Sequence, residues 1–165
     1  MNPETIQESM RLWQEDPNKA KAKPTLKGRS DGAQAVLETG SFSWRADLPP
    51  SLGGTNTAPS PTALLLGALA GCAVVFIRDA LAPQLGVRVE SVEAIVQCEV
   101  DFRGWVGMDG AMPDLQNVQV AIQIQSPDSG EDVKKLYQVW QERCPIYLAL
   151  IKPLPVKTIL EIKKT

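Results

Sequence analysis

Two cysteines are the residues whose type could carry reactive chemistry in this sequence. Cys72 lies in GALAGCAVVFIRDA, and Cys144 lies in QERCPIYLAL, directly before Pro145. A thiolate is a nucleophile and can cycle through sulfenic acid and disulfide states. The chain contains no histidine. That excludes Ser-His-Asp and Cys-His catalysis, histidine metal sites and histidine acid–base chemistry. Any reaction must draw on Cys, Arg, Lys, Asp, Glu, Ser, Thr or Tyr.

Each candidate also has a plainer reading. By spacing alone, Cys72 reads first as a small apolar filler in a packed helix. Cys98 alternates with valines in VEAIVQCEVDF and reads as a strand-face packing residue. Cys144 is poised between the two: at a helix start, positive backbone dipoles stabilise a thiolate. Without histidine, a reactive thiolate needs another cation. Arg29 and Arg45, in the segment before the central helix, are the candidates, though most arginines there are solvated surface groups. LGG at 52–54 and RG at 103–104 read as turns, and no phosphate-cradling glycine motif is present. Three dispersed cysteines with no CxxC pair exclude a disulfide scaffold and argue against a zinc site.

The elements that must position these thiols follow from hydrophobic spacing. Ile6, Ser9, Met10 and Trp13 predict a short amphipathic helix over 4–15. A polar connector, DPNKAKAKP, follows. Two or three short strands are expected over 25–48, separated by SDG and TGS turns, with Trp44 inward and Arg45 on the other face. Ser60 and Pro61 form a helix start, with a side-chain acceptor at N-cap and a preset φ at N1. The central helix is expected to run to about Leu81, stopped by Pro83. Leu65, Leu69, Cys72 and Phe76 share one of its faces. Alternation predicts a strand over 92–102, a second through Val118, Val120, Ile122 and Ile124, and a third through Val156, Thr158, Leu160 and Ile162. Between the last two, Ser129 and Asp132 resemble a capping box for a second helix. Val133, Leu136, Tyr137 and Trp140 form its buried face, and Cys144 ends it. Pro145 breaks the helix at Cys144 and opens a new short one. This order predicts an α+β domain.

Composition sets outer bounds. A chain of 165 residues, 44% hydrophobic and 22% charged, suits one domain or one protomer of an intertwined oligomer. A formal net charge of −2 with no basic patch argues against nucleic acid and anionic membrane as partners. The N-terminus has early acids and no apolar core of a signal peptide, so a cytoplasmic, reducing compartment is expected. The apolar run from Ala63 to Ile77 is shorter than the roughly 18 residues a membrane span needs, so a buried core helix is expected.

Three blocks, LPPSLGGTNTAPSPTALLLGALAGC, VDFRGWVGMD and RCPIYLALIKPLPV, together resemble the OsmC/Ohr family, over about residues 25–162. The middle block is more similar to the OsmC-like branch of uncertain role than to the organic hydroperoxide resistance branch. The resemblance implies an N-terminal helix and connector over 1–24 and an OsmC-like domain over 25–165. It implies antiparallel sheets packed around two long helices in an intertwined homodimer. It further implies a peroxidase of organic hydroperoxides, with Cys72 peroxidatic and Cys144 resolving, no bound cofactor, no metal, and an external dithiol as electron donor. The sequence departs from the family at one point: Thr62 stands where the peroxidase branch has a glutamate. The family's thiolate-stabilising arginine is loosely matched by Arg29 in KGRSDG, with Arg45 the alternative. The rival expectation is a small-molecule-binding or redox-sensing protein of this fold with little turnover.

Overall fold

The computed structural model describes residues 3–152 and 154–164. Helix α1 (Pro3–Glu15) precedes a three-stranded antiparallel sheet of β1 (Lys27–Asp31), β2 (Gln34–Thr39) and β3 (Phe42–Ala46). Two-residue turns join these strands. Each opens with a glycine at positive φ, Gly32 at 61° and Gly40 at 55°, which a side chain would resist. The alternation is as expected, with Trp44 and Arg45 on opposite faces. Trp44 is not turned inward as expected: it remains 36% exposed, because none of the described residues covers its side of the sheet fully.

The central helix is longer than its sequence predicts. Helix α2 (Pro61–Val75) runs into a π-helical turn at Phe76–Leu81 and then α3 (Ala82–Leu85). Pro83 does not stop it. In the π-turn the Ala82 N–H reaches back five residues to the Ile77 carbonyl. This wider turn makes room for a proline ring that lacks an N–H. The helix ends at Gly86, in the left-handed region at φ 67°. By length and composition this continuous 25-residue run is apolar enough to cross a membrane. One stripe of it, through Leu69, Ala73, Ile77 and Leu81, is buried in the core between a sheet and a second helix.

That sheet pairs β4 (Ser91–Glu99) with β5 (Gln116–Gln125) in antiparallel register, Val92 opposite Ile124 and Val96 opposite Val120. A bulge falls at Cys98, where Asn117 takes φ 50°. Strand β4 ends before Phe102, contrary to the alternation. Asp101 instead caps α4 (Phe102–Trp105) by accepting from the Arg103 N–H, and the Phe102 and Trp105 rings meet edge to face. Helix α5 (Gly130–Arg143) has the expected Ser129 cap, and α6 (Pro145–Ile151) follows it directly. The core lies where Leu69, Ala73, Ile77 and Leu81 of the central run meet Leu136, Trp140 and Cys144. The final expected strand does not form. Residues 154–164 have no strand partner, and Val156, Leu160 and Ile162 lie at least 80% exposed, because the chain offers the tail no open sheet edge that it reaches.

Among the described residues, Asp47 is the buried charged side chain. Asp47 accepts hydrogen bonds from the backbone N–H groups of Leu48, Thr55 and Thr57, and from the hydroxyls of Thr55 and Thr57 and the amide of Gln34. It ties the 48–57 loop to the end of β3. These donors, the Thr55 hydroxyl first, hold its carboxyl far below the usual carboxylate range. Its stabilisation is therefore full above the unfolded carboxyl pKa and lost as pH falls below about 4. Asp47→Ala should lower the thermal midpoint by several degrees at pH 7, and the gap from wild type should shrink as pH falls towards 3. A gap that stays constant with pH would contradict this account.

Candidate functional site

Cys72 and Cys144 come from opposite ends of the core and meet. The Sγ atoms are 3.0 Å apart, and both cysteines are free thiols. That is contact distance, about 1 Å longer than a disulfide bond. Two local devices bring them together. Cys72 sits three residues after the buried Leu69, on the flank of the core stripe. Cys144 leaves helical geometry at φ −69°, ψ 113° before Pro145 and becomes the N-cap of α6. Its own N–H still bonds the Trp140 carbonyl, so α5 closes on the same residue that starts α6.

The two sulfurs differ in access. Cys144 is 0% exposed, whereas Cys72 is only partly buried. The Tyr147 N–H donates to Cys144 Sγ at 3.5 Å. Burial pushes the Cys72 thiol up to about 11, helped by its hydrogen bond and proximity to Cys144; the Ile146 backbone N–H works the other way. Trp140, whose carbonyl accepts from the Cys144 N–H, shares the core with it and is flanked by Tyr137 with ring centroids 5.8 Å apart and Tyr147 at 5.0 Å. Its indole N–H is buried with no hydrogen-bond partner among the described residues.

An apolar cavity of about 280 Å³ is lined by chain neighbours of the two cysteines, while neither cysteine itself lines it. Its walls include Leu69, one turn before Cys72, and Tyr147, whose N–H touches Cys144, with Val118, Val120 and Leu150 opposite.

The candidate cations are elsewhere. In the register of the first sheet, Val36 stands between Arg29 and Arg45 on one face, and it is buried. Arg29 pairs with Glu38 at 3.6 Å. Arg45 pairs with Asp31 at 2.8 Å and donates to Gln34 at 2.9 Å. Their stems cover an apolar residue, and among the described residues neither guanidinium bonds a cysteine. Thr62 lies ten residues before Cys72, about 15 Å along the helix. It lines a different cavity with Pro59, Phe102 and Trp105. Cys98, at the β4 bulge, bonds neither of the other sulfurs. The sequence reading missed the amides of Ile146 and Tyr147 and the wall formed by Tyr147. The signal available was Cys-Pro itself, since a proline at N1 aims the next free N–H groups back at the N-cap side chain.

Residues 54–159 match a family model described as OsmC-like protein. Among solved structures, the fold is similar to an OsmC-like protein from Mycoplasma pneumoniae, with TM-score 0.66 and 18% identity over 79% of this chain and 88% of that one. It is similar to an organic hydroperoxide resistance protein OsmC from Legionella pneumophila, with TM-score 0.57 and 21% identity over 79% and 90%. A third likeness is to a putative organic hydroperoxide resistance protein from Vibrio cholerae O1 biovar eltor, with captopril bound in one of its active sites. Its TM-score is 0.56, with 21% identity over 79% and 85%. No curated protein matches the chain. At these identities the solved structures speak to the fold.

Proposed function

The chain belongs to the OsmC-like family, and from that premise we propose that it is a cysteine-based thiol peroxidase that reduces organic hydroperoxides. The observation that carries this reading is the 3.0 Å approach of two free thiols, one buried and one partly accessible. Cys72, the more accessible sulfur, attacks as the thiolate. It displaces the O–O bond of ROOH, becomes a sulfenic acid and releases RO⁻, which takes a proton to leave as the alcohol. Cys144 then attacks the sulfenic sulfur, water leaves, and a disulfide forms. An external dithiol reopens it by exchange and is itself oxidised to a disulfide. The relatives named for organic hydroperoxide resistance support this substrate class. The apolar walls favour an alkyl or aryl hydroperoxide over hydrogen peroxide.

A second reading rests on a specific observation. The Cys72 thiol is pushed up to about 11, and neither Arg29 nor Arg45 relieves it within the chain. A protein of this fold that binds a small apolar or thiol ligand, or senses redox state, needs no rapid turnover. A coupled assay comparing cumene hydroperoxide with hydrogen peroxide, driven by a dithiol, separates the two. The first reading expects catalytic turnover with preference for cumene hydroperoxide. Oxidation of one equivalent without recycling would leave the second.

The working form is a homodimer in a reducing, cytoplasmic compartment. The tail at 154–164, the half-exposed Val75 of the central helix and the uncovered side of Trp44 are apolar surfaces that a second copy would bury. Light scattering at micromolar concentration should return twice the 17.9 kDa chain mass. A monomer mass would remove this part of the reading.

A further inference from the structure

Helix α1 lies before the residues that match the family, and it forms one wall of a groove away from the thiols. The groove is a cavity of about 350 Å³ between α1, the end of the central helix and the last turn of α5. Ile6 and Met10 of α1 face Pro83 and Leu85 across it. These apolar side chains are one turn apart on α1, so they line a continuous wall. Arg143 stands at the groove, and the amides of Gln7 and Gln84 are its other polar groups. The Arg143 guanidinium has no hydrogen-bond or ion-pair partner among the described residues. Among the described residues, no acidic side chain lines the groove.

We propose that this groove binds an amphiphilic monocarboxylate, with the apolar tail against α1 and the carboxylate on Arg143. The lining fits such a ligand in both halves. The apolar walls gain from burying a chain of methylenes, and an unpaired guanidinium offers a bidentate, charge-assisted pairing to a carboxylate. The volume falls at the small end of ligand pockets, which suits a medium-chain acid better than a long one. The site is separate from the dithiol. Arg143 faces outward from the end of α5, while Cys144, the next residue, faces the core.

Isothermal titration of the full chain with decanoate, kept below its aggregation concentration, tests this. The expected result is saturable binding of one decanoate per chain. Decanol should bind about tenfold more weakly, because it keeps the tail and loses the charge. Arg143→Gln should show a similar loss and Arg143→Lys a smaller one. Gln84→Glu, which places a competing carboxylate in the groove, should also weaken binding. Shortening the acid from decanoate to octanoate should weaken binding by no more than about fourfold per methylene removed, the worth of a fully buried methylene. Equal binding of decanol and decanoate would overturn the proposal. So would unchanged affinity in Arg143→Gln, or uptake of many molecules per chain without saturation.

Discussion

Cys72→Ser is expected to lower peroxide consumption to the rate of a protein-free control, while Cys144→Ser keeps one reaction per chain and then stops. The two thiols are not equivalent. Cys144 is sealed in the core, its sulfur accepting from the Tyr147 N–H, whereas Cys72 is only partly buried. A hydroxyl at Cys72 removes the only accessible nucleophile of the pair. A hydroxyl at Cys144 leaves attack on the peroxide intact and removes the sulfur that closes the disulfide. Cys72 should then remain as sulfenic acid or over-oxidise to sulfinic acid, which mass spectrometry distinguishes. In the wild type, one equivalent of cumene hydroperoxide should link the peptide containing GALAGCAVVF to the one containing CPIYLAL. The sulfurs need close by only about 1 Å to reach bonding distance. Cys98 should remain free. Turnover that survives in Cys72→Ser, or a dominant link through Cys98, would leave the fold and remove the mechanism.

The alkylation rate of Cys72 should rise about tenfold per pH unit from pH 7, with no plateau below pH 9. Burial, with the neighbouring Cys144, holds this thiol near 11. At pH 7 the reactive thiolate is then only about one part in ten thousand, since each unit below the pKa costs a factor of about ten. The same shift has a consequence for stability. A thiol whose folded pKa is raised stabilises the fold while it stays protonated. That contribution is full below the unfolded thiol pKa, about 8.5–9, and is lost as pH rises through about 11. The urea midpoint of wild type should therefore fall more than that of Cys72→Ser across this window. Arg29→Gln and Arg45→Gln should leave the alkylation profile within about twofold of wild type. Their guanidinium groups are engaged with Glu38 and with Asp31 and Gln34, and their stems cover Val36. A plateau at or below pH 8 would mean that a cation from outside this chain's own fold sits against the thiol. Neutral-pH turnover should be slow, and it should quicken in alkali.

Much of the local architecture was legible because its causes are local. Ser60-Pro61 and Ser129 start helices by supplying a side-chain acceptor or a fixed φ to groups within three residues. Cys144-Pro145 breaks one helix and opens the next for the same kind of reason, so the place of Cys144 at a helix start was readable. The alternation of β4 and β5 reflects a period of two that needs only one buried face. Pro83 misled because its usual effect is also local, and a π-turn set by the packing of Ile77 and Leu81 relieved it. The tail through Val156 and Ile162 has the pattern of a strand, yet a strand needs a partner, and pairing is a property of the whole fold.

The site itself belongs to tertiary structure. Sequence alone placed Cys72 and Cys144 on buried helix faces, and it named the residue types able to react. It did not determine that 72 residues of separation close to 3.0 Å, because that distance depends on how α5 crosses the central helix. Nor did it decide the roles of Arg29 and Arg45, which the register of the first sheet directs to Val36 and its acidic neighbours. Chemistry resides in residue types, which a sequence states outright. Reactivity resides in distance, burial and neighbouring charge, which exist only once the chain has packed.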